Sequence, residues 1–201
     1  MHISEGVLRP EILAGTAVLT AGFVALGLRR IEDREIPAMG ILSAAFFVAS
    51  LVHVPAGPVS VHLVLNGLLG MLLGFRAFPS ILIALFLQAL MFQFGGLTSL
   101  GANTLNMGLP AFVCYLALGW ARKPETGTRA AATAGFLCGF LSVLLSGLMV
   151  GTTLALNGEA FIPAAKVVVI AHFPVMVIEG FLTSSCLVFI KKVKPEMLAG
   201  S

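Results

Sequence analysis

Charged residues are scarce in this chain. Asp, Glu, Lys and Arg make up only 10% of its 201 residues, whereas soluble domains contain about 25%. Hydrophobic residues account for 58%, and the mean hydropathy is +1.03. This composition excludes a cytosolic globular enzyme, a disordered chain and, despite the net charge of +3, a protein that binds nucleic acid. We therefore expect a protein embedded in membrane lipid.

Sequence signals of cross-linking, catalysis and secretion are also missing. Cys114, Cys138 and Cys186 lie in apolar segments without metal-ligand spacing, which predicts small buried hydrophobic residues rather than a disulfide framework. There is no phosphate-binding loop, no His-Glu-x-x-His sequence and no convincing helical placement of a Ser and His pair, which argues against an ATPase and an intramembrane hydrolase. The N-terminus lacks the basic region of a secretory signal, so the first helix is expected to be retained.

Long apolar runs predict the membrane helices. Residues 36–75 and 77–121 contain no charged side chain, and each run is long enough for two crossings of about 20 residues. We predict an all-α integral membrane protein, a single domain over residues 1–201 with about seven transmembrane helices. The helices are expected near residues 10–28, 37–54, 60–75, 77–94, 105–121, 130–156 and 163–190. The third is short, so a re-entrant segment is an alternative there.

The distribution of basic residues predicts the orientation. With seven crossings and the N-terminus outside, only Arg9 and Lys166 lie outside. Ten basic residues then lie inside, namely Arg29, Arg30, Arg34, Arg76, Arg122, Lys123, Arg129, Lys191, Lys192 and Lys194. Because basic residues accumulate on the cytoplasmic side, we expect a multi-pass protein of the cell membrane with its N-terminus outside and its C-terminus inside. A re-entrant third segment would reverse every later loop and remove this bias.

His2, directly after Met1, predicts a metal chelate on the outer face. A bulky second residue is expected to protect Met1 from removal. The Met1 amine, the deprotonated amide nitrogen of His2 and its Nδ1 then bind one ion through fused five- and six-membered rings. A fourth nitrogen from His62 or His53, which flank an outer turn, completes a square-planar set of four nitrogens, a geometry typical of Ni(II) or Cu(II). The competing interpretation is a frayed, solvated terminal histidine.

Other polar residues in or near apolar segments are candidates for supporting roles. Glu179 lies well inside an apolar segment, where a carboxylate is costly. His172 lies seven residues earlier on the same helical face. The pair is expected to exchange a proton or to anchor a polar network outside the direct metal shell, and the alternative is that Glu179 satisfies buried helix ends.

Amide side chains surround the predicted outer loop after the fourth helix. Their oxygens are expected to orient the metal-binding imidazoles, and capping of the loop backbone is the competing role. Asn103 is favoured over the two glutamines. The four residues are Gln88, Gln93, Asn103 and Asn106.

Several motifs taken together resemble a known family. The chain opens with Met1-His2-Ile3-x-Glu5-Gly6 and has a Gly/Ser turn that ends in His62. It continues with Gly95-Gly96-Leu97-Thr98, Gly101-Ala102-Asn103-x-x-Asn106-Met107, Ala171-His172-x-Pro174 and Ile178-Glu179-Gly180. Over essentially the whole chain these motifs resemble the CbiM/NikM family, the substrate-binding components of energy-coupling-factor cobalt and nickel ABC transporters.

The resemblance implies a seven-helix protein that captures Ni²⁺ or Co²⁺ as a transported substrate, with no catalytic cofactor and no enzymatic activity of its own. It implies a metal site formed by Met1, His2 and His62, because His62 matches the turn histidine of the family. His53 matches no family position. It also implies partners, namely a transmembrane coupling protein, a cytoplasmic ATPase pair and often a small additional membrane subunit, which is not expected to be fused to this chain.

A self-sufficient secondary nickel or cobalt permease is the alternative function. Such a permease would need intramembrane carboxylates or imidazoles for ion coupling. Only His172 and Glu179 are available for this purpose.

Overall fold

The first helix, α1, spans Pro10–Leu28 in the computed structural model, which describes residues 1–51, 53–56 and 59–199 and the side chains of 1–51 and 61–198. Pro10 suits the first turn, where its missing N–H would have no helical partner. Val18 and Leu19 are 72% and 55% exposed. A helix that is apolar on all sides, including its outer side, suits contact with lipid rather than water.

Eight further α-helices, four short 3-10 turns and one hairpin complete the regular structure of the described part of the chain. The helices are α2 (Ile36–Ala49), α3 (Asn66–Leu73), α4 (Ala77–Phe92), α5 (Leu100–Leu118), α6 (Thr128–Asn157), α7 (Ile162–Ala171), α8 (Phe173–Val193) and α9 (Glu196–Ala199). Strands β1 (His53–Ala56) and β2 (Val59–His62) pair antiparallel, with His53 opposite His62. The predicted helical class is confirmed, and the hairpin is an addition that the sequence did not predict.

Five stretches of the described chain are long and apolar enough to cross a membrane. They are Pro10–Leu28, Asn66–Phe92, Leu100–Arg122, Thr128–Asn157 and Phe173–Val193. The second joins α3, a short 3-10 turn and α4. The count of seven spans and the orientation with the N-terminus outside stay predictions.

The long helices run between two ends of a bundle. At one end the backbone N–H of Arg9 donates to Asn157 Oδ1 at 2.8 Å, which joins the start of α1 to the end of α6. At the other end Lys191 Nζ donates to the carbonyl oxygen of Lys123 at 2.5 Å, close to the end of α8. The N-terminus therefore lies at the first end, and the predicted cytoplasmic lysines lie at the second.

Helix α3 lies at the centre of the bundle, and all eight of its residues are buried. A Cβ atom on Gly67 would lie 2.5 Å from Ser142 Oγ, and one on Gly70 would lie 2.2 Å from the carbonyl oxygen of Ala111. Only glycine permits such close approach. These two glycines allow α3 to fit between α5 and α6.

The predicted helix over residues 60–75 is wrong at its start, because β2 extends to His62 and α3 begins only at Asn66. The β-branched residues Val59 and Val61 favour a strand. An eight-residue helix is about 12 Å long, so α3 does not span a membrane alone.

The predicted helix over residues 163–190 has the expected extent but is interrupted at His172, between α7 and α8. Pro174 has no N–H for the carbonyl of Ile170, and its ring disfavours continuous helix at this point. The interruption leaves His172 at the junction of two helices rather than in the middle of one.

Helix α5 begins five residues before the predicted start at residue 105. The backbone N–H of Asn103 donates to the carbonyl oxygen of Ser99 at 2.9 Å, as in a helix. Asn103 and Asn106 therefore lie on a helix and not in a loop. Their side chains contact other parts of the protein, which removes their usual competition for the local backbone.

Candidate metal site

Three nitrogen atoms meet at the N-terminal end of the bundle. The Met1 amine lies 2.6 Å from His62 Nε2, and His2 Nδ1 lies 3.0 Å from the same atom. The two imidazole rings stack with their centroids 4.6 Å apart. Met1, His2 and His62 are all buried. We call these three atoms the nitrogen cluster.

Hydrogen bonds outside the nitrogen cluster orient both imidazoles. His62 Nδ1 lies 2.7 Å from the carbonyl oxygen of Leu63, which only accepts, so Nδ1 carries the proton. His2 Nε2 lies 2.8 Å from Gln88 Oε1 and donates to it. The Gln88 amide keeps this orientation because its nitrogen donates to the carbonyl of Phe47 at 3.4 Å. His62 Nε2 and His2 Nδ1 therefore present their lone pairs to the cluster.

Asn103 and Ser99 fix the main chain directly after His2. The backbone N–H of Ile3 donates to Asn103 Oδ1 at 2.8 Å. The carbonyl oxygen of Ile3 accepts from Asn103 Nδ2 at 3.0 Å and from Ser99 Oγ at 2.9 Å. Asn103 thus holds the backbone beside His2 rather than an imidazole.

Glu5 ties the N-terminal segment to the loop between α4 and α5. Its backbone N–H donates to the carbonyl of Gly95 at 2.8 Å, and its carboxylate accepts from the backbone N–H of Thr98 at 3.3 Å and from the Thr98 hydroxyl. A Cβ atom on Gly96 would lie 1.8 Å from Glu5 Oε2 and 2.8 Å from Glu5 Cβ. The loop therefore needs glycine at position 96 for the two segments to meet.

Burial sets the protonation of the cluster. It lowers the pKa of the Met1 amine from 8.0 to about 4. Burial, followed by the nearby charges of the Met1 amine and His2, lowers the pKa of His62 well below its usual value of 6.5. Because a buried site disfavours the charged form of a base, both groups are neutral near pH 7 and their lone pairs are available.

The geometry of the nitrogen cluster suits one metal ion. Two donors bound at right angles, with bonds of about 2.0 Å, lie about 2.8 Å apart, close to the observed 2.6 and 3.0 Å. Among the described residues no group of three His, Cys, Asp or Glu side chains is placed to hold a metal. The Met1 amine lies beside the two imidazoles, and the His2 amide nitrogen is covalently placed between this amine and the His2 ring.

The remaining predicted site residues do not take part in these contacts, or their side chains are not among those that the structure describes. His53 pairs with His62 along the hairpin backbone, but its side chain is outside the described residues. Asn106 Oδ1 accepts from the Thr153 hydroxyl at 3.3 Å. Gln93 is exposed at the end of α4.

His172 and Glu179 have separate partners. His172 Nδ1 donates to the carbonyl of Val168 at 2.7 Å, whereas Glu179 accepts from the backbone N–H groups of Val64 and Leu65. Among the described residues no hydrogen bond joins the two side chains. This geometry favours the alternative in which Glu179 satisfies a buried helix end.

The sequence favours Asn103 over Gln88, yet Gln88 is the amide that contacts an imidazole of the cluster. One signal was available, because Gln88 is the lone polar residue in the run 81–92 and buried polar side chains need partners. No comparable signal in the sequence indicates that the Ser99 hydroxyl binds the carbonyl of Ile3 or that the carbonyl of Leu63 binds His62.

The fold and the site together define a membrane protein of apolar helices with a buried cluster of nitrogen donors at one end. Residues 2–197 match the CbiM family, described as the cobalt uptake substrate-specific transmembrane region. The chain belongs to this family. It is therefore a membrane component of cobalt or nickel uptake, and the metal ion is its substrate.

Individual relatives cover nearly the whole chain. A Haemophilus influenzae protein named for metal transport is 36% identical over 199 residues, which is 98% of this chain and 97% of the relative. The cobalt transport protein CbiM of Sorangium cellulosum is 33% identical, over 98% of this chain and 94% of the relative. The crystal structure of a truncated transition metal transporter shares the fold, with a TM-score of 0.78, 24% identity, and coverage of 96% of this chain and 99% of that one.

Proposed function

We propose that this protein captures Ni²⁺ or Co²⁺ from outside the cell at the nitrogen cluster. It acts as the substrate-binding subunit of an energy-coupling-factor transporter in which partner subunits hydrolyse ATP. The observation that supports this proposal is the position of the Met1 amine and His2 Nδ1, both within 3.0 Å of His62 Nε2 in a buried site.

The proposed ligands are four nitrogens. The Met1 amine, the His2 amide nitrogen and His2 Nδ1 bind the ion in two fused rings, and His62 Nε2 closes the plane. Amine and imidazole donors suit both ions, and a planar set of four nitrogens favours Ni²⁺. The His2 amide must lose its proton before it binds the metal, so binding releases a proton.

Transport in this proposal requires partners. The chain has no phosphate-binding loop, so a cytoplasmic ATPase pair must supply the energy. A transmembrane coupling protein, with a small additional membrane subunit in some assemblies, connects the ATPases to this chain. The end of the bundle that carries Lys123 and Lys191 is the proposed cytoplasmic end.

A self-sufficient permease is the less favoured function. Ion coupling within the membrane requires ionisable groups that communicate. The hydrogen bonds of His172 and Glu179 instead go to separate backbone groups. The cluster at one end of the bundle supports capture of an ion, and the interior contacts support a structural role.

A vesicle experiment tests this function. Untagged protein reconstituted alone should retain about one Ni²⁺ or Co²⁺ per chain, because only one N-terminal chelate forms, and should show no net uptake. Reconstitution with the coupling protein and the ATPase pair, with ATP at the ATPase side, should give uptake. The matched control is the same complex with the His62→Ala chain. Energised uptake by the chain alone would establish the permease function instead.

The Gly96→Ala substitution should weaken metal binding. The added methyl group must displace Glu5 and with it the N-terminal segment. We expect affinity for Ni²⁺ to fall by about tenfold, as for other groups that position metal ligands, when measured by calorimetry on detergent-solubilised protein. Gly22→Ala is the control, since a Cβ at Gly22 meets nothing within 4 Å. Unchanged affinity in Gly96→Ala would show that the Glu5 contact does not hold the terminus.

A further inference from the structure

Glu179 is a fully buried carboxylate on α8 that reaches the chain just beyond His62. Its exposure is 0%. Its Oε1 accepts from the backbone N–H of Val64 at 2.5 Å and from that of Leu65 at 2.8 Å. These two residues belong to the link 63–65, which joins β2 to α3.

The link includes a residue with an unfavourable backbone conformation, and two of its backbone N–H groups bind a side chain from a distant helix. Leu65 has a φ of +55°, a left-handed conformation that is unfavourable for a branched side chain. Val64 is buried, so its N–H needs a partner within the protein. A single carboxylate oxygen satisfies two successive N–H groups here, and it also lies at the N-terminal end of α3, where negative charge is favoured.

The link controls the orientation of His62. The carbonyl oxygen of Leu63 accepts a hydrogen bond from His62 Nδ1–H at 2.7 Å, and this bond points Nε2 toward the Met1 amine and His2. A shift of the main chain at residues 64 and 65 would therefore move the acceptor that orients the His62 ring. Glu179 is the side chain that holds those residues.

The position of Glu179 is itself fixed by close packing. A Cβ atom on Gly139 of α6 would lie 2.2 Å from the carbonyl oxygen of Glu179. α6 and α8 thus meet backbone to backbone at this residue. Glu179 extends from a closely packed helix pair toward the link, which suits a positioning group.

From these contacts we infer that Glu179 is the positioning residue for His62, which it holds through the backbone of Val64 and Leu65. This inference rests on the proposed function, because it assigns a role within the proposed metal site. Glu179 acts as a hydrogen-bond acceptor and does not bind the ion. Its effect on metal affinity therefore passes through His62.

Two substitutions distinguish the role of Glu179 as a hydrogen-bond acceptor from the role of its negative charge. Glu179→Gln keeps an oxygen that accepts both N–H groups, so its affinity for Ni²⁺ should stay within about threefold of the wild type. Glu179→Met keeps the length but removes the acceptor, and its affinity should fall by at least about tenfold. The visible absorption band of bound Ni²⁺ should also move to longer wavelength in Glu179→Met, because water replaces the His62 imidazole as a weaker-field ligand.

Thr183→Val is the matched control. Thr183 is buried one helical turn further along α8, and its hydroxyl makes no hydrogen bond to any residue that the structure describes. This variant should keep both the affinity and the spectrum of the wild type. Glu179→Asp, which withdraws the acceptor by one methylene, should show an intermediate affinity, and it replaces Glu179→Met if that variant does not fold.

A double substitution gives the decisive outcome. In a His62→Ala background, Glu179→Met should cause no further loss of affinity, since the residue it positions is already missing. An equal further loss there, or wild-type affinity and spectrum in folded Glu179→Met or Glu179→Asp, would overturn the inference while the proposed function stands. Wild-type binding by His62→Ala would also overturn the inference, because His62 would not be a ligand. Failure of the wild type to bind Ni²⁺ would instead overturn the proposed function and this inference with it.

Discussion

A single residue added before Met1 should abolish high-affinity binding of Ni²⁺ and Co²⁺, a loss of at least about a hundredfold, equivalent to about 2.8 kcal/mol. The extension turns the Met1 amine into an amide, which removes a basic donor and requires a second costly deprotonation. Space is also restricted, because Met1 is fully buried and its amine lies 2.6 Å from His62 Nε2. Calorimetry on extended and unextended protein measures the difference.

The control for this experiment is a tag of the same length at the C-terminus, which leaves the Met1 amine unchanged. Thermal unfolding should show that both tagged proteins are folded. Equal affinity of the N-terminally extended and unextended proteins would mean that the terminus is not a ligand. The site would then consist of ordinary imidazole coordination.

The second large effect is expected from His62→Ala. His62 Nε2 is the atom that both the Met1 amine and His2 Nδ1 approach, so its removal takes away the ligand that closes the proposed plane. We expect about one ion per chain in the wild type and a loss of affinity of about a hundredfold in the variant, as for loss of one direct ligand. Metal analysis after dialysis, together with calorimetry, provides the measurement.

His53→Ala is the matched control for His62→Ala, because it removes a histidine from the opposite strand of the same hairpin. This variant should bind as the wild type does. If His62→Ala keeps its stoichiometry and affinity while His53→Ala loses them, His53 is the fourth ligand. His53 and His62 are paired in the hairpin register. The two substitutions therefore test which of these histidines is the fourth ligand.

The membrane character of this protein can be read from its sequence. The charge-free runs 36–75 and 77–121 predict helices because a lipid environment requires long apolar segments with internal hydrogen bonds. Most of the predicted helices appear with their ends close to the expected residues. The exceptions are the second helix, which ends at Ala49 and not at residue 54, the third helix, the start of α5 and the interruption at His172.

The interruption at His172 follows from the nearby Pro174, whereas the third helix and the start of α5 depend on distant partners. In the link after β2, backbone N–H groups donate to Glu179 instead of forming helical hydrogen bonds. Glu179 is 114 residues away in sequence from Leu65. The side chain of Asn103 binds the backbone of Ile3, 100 residues away, rather than the backbone of its own turn. Hydropathy measures only local preference, so partners contributed by distant segments change the outcome where polar groups are buried.

Three of the four proposed donors were predictable because they adjoin one another in the chain. The Met1 amine, the His2 amide and His2 Nδ1 have their relative positions set by covalent bonds, and the two-residue sequence already specifies them. The choice between His53 and His62 did not follow from spacing alone. This choice depends on where the chain folds back, and on the sequence alone only the resemblance to a family favours His62.

Local chemistry along the chain therefore specifies a membrane protein with an N-terminal chelating group. The contacts that orient this group arise only on folding, since Gln88, Asn103 and Glu179 come from three different helices. Their placement depends on close approaches such as that at Gly139, where a few tenths of an ångström decide whether two backbones meet. Such distances depend on the packing of the entire bundle, so no short sequence pattern predicts them.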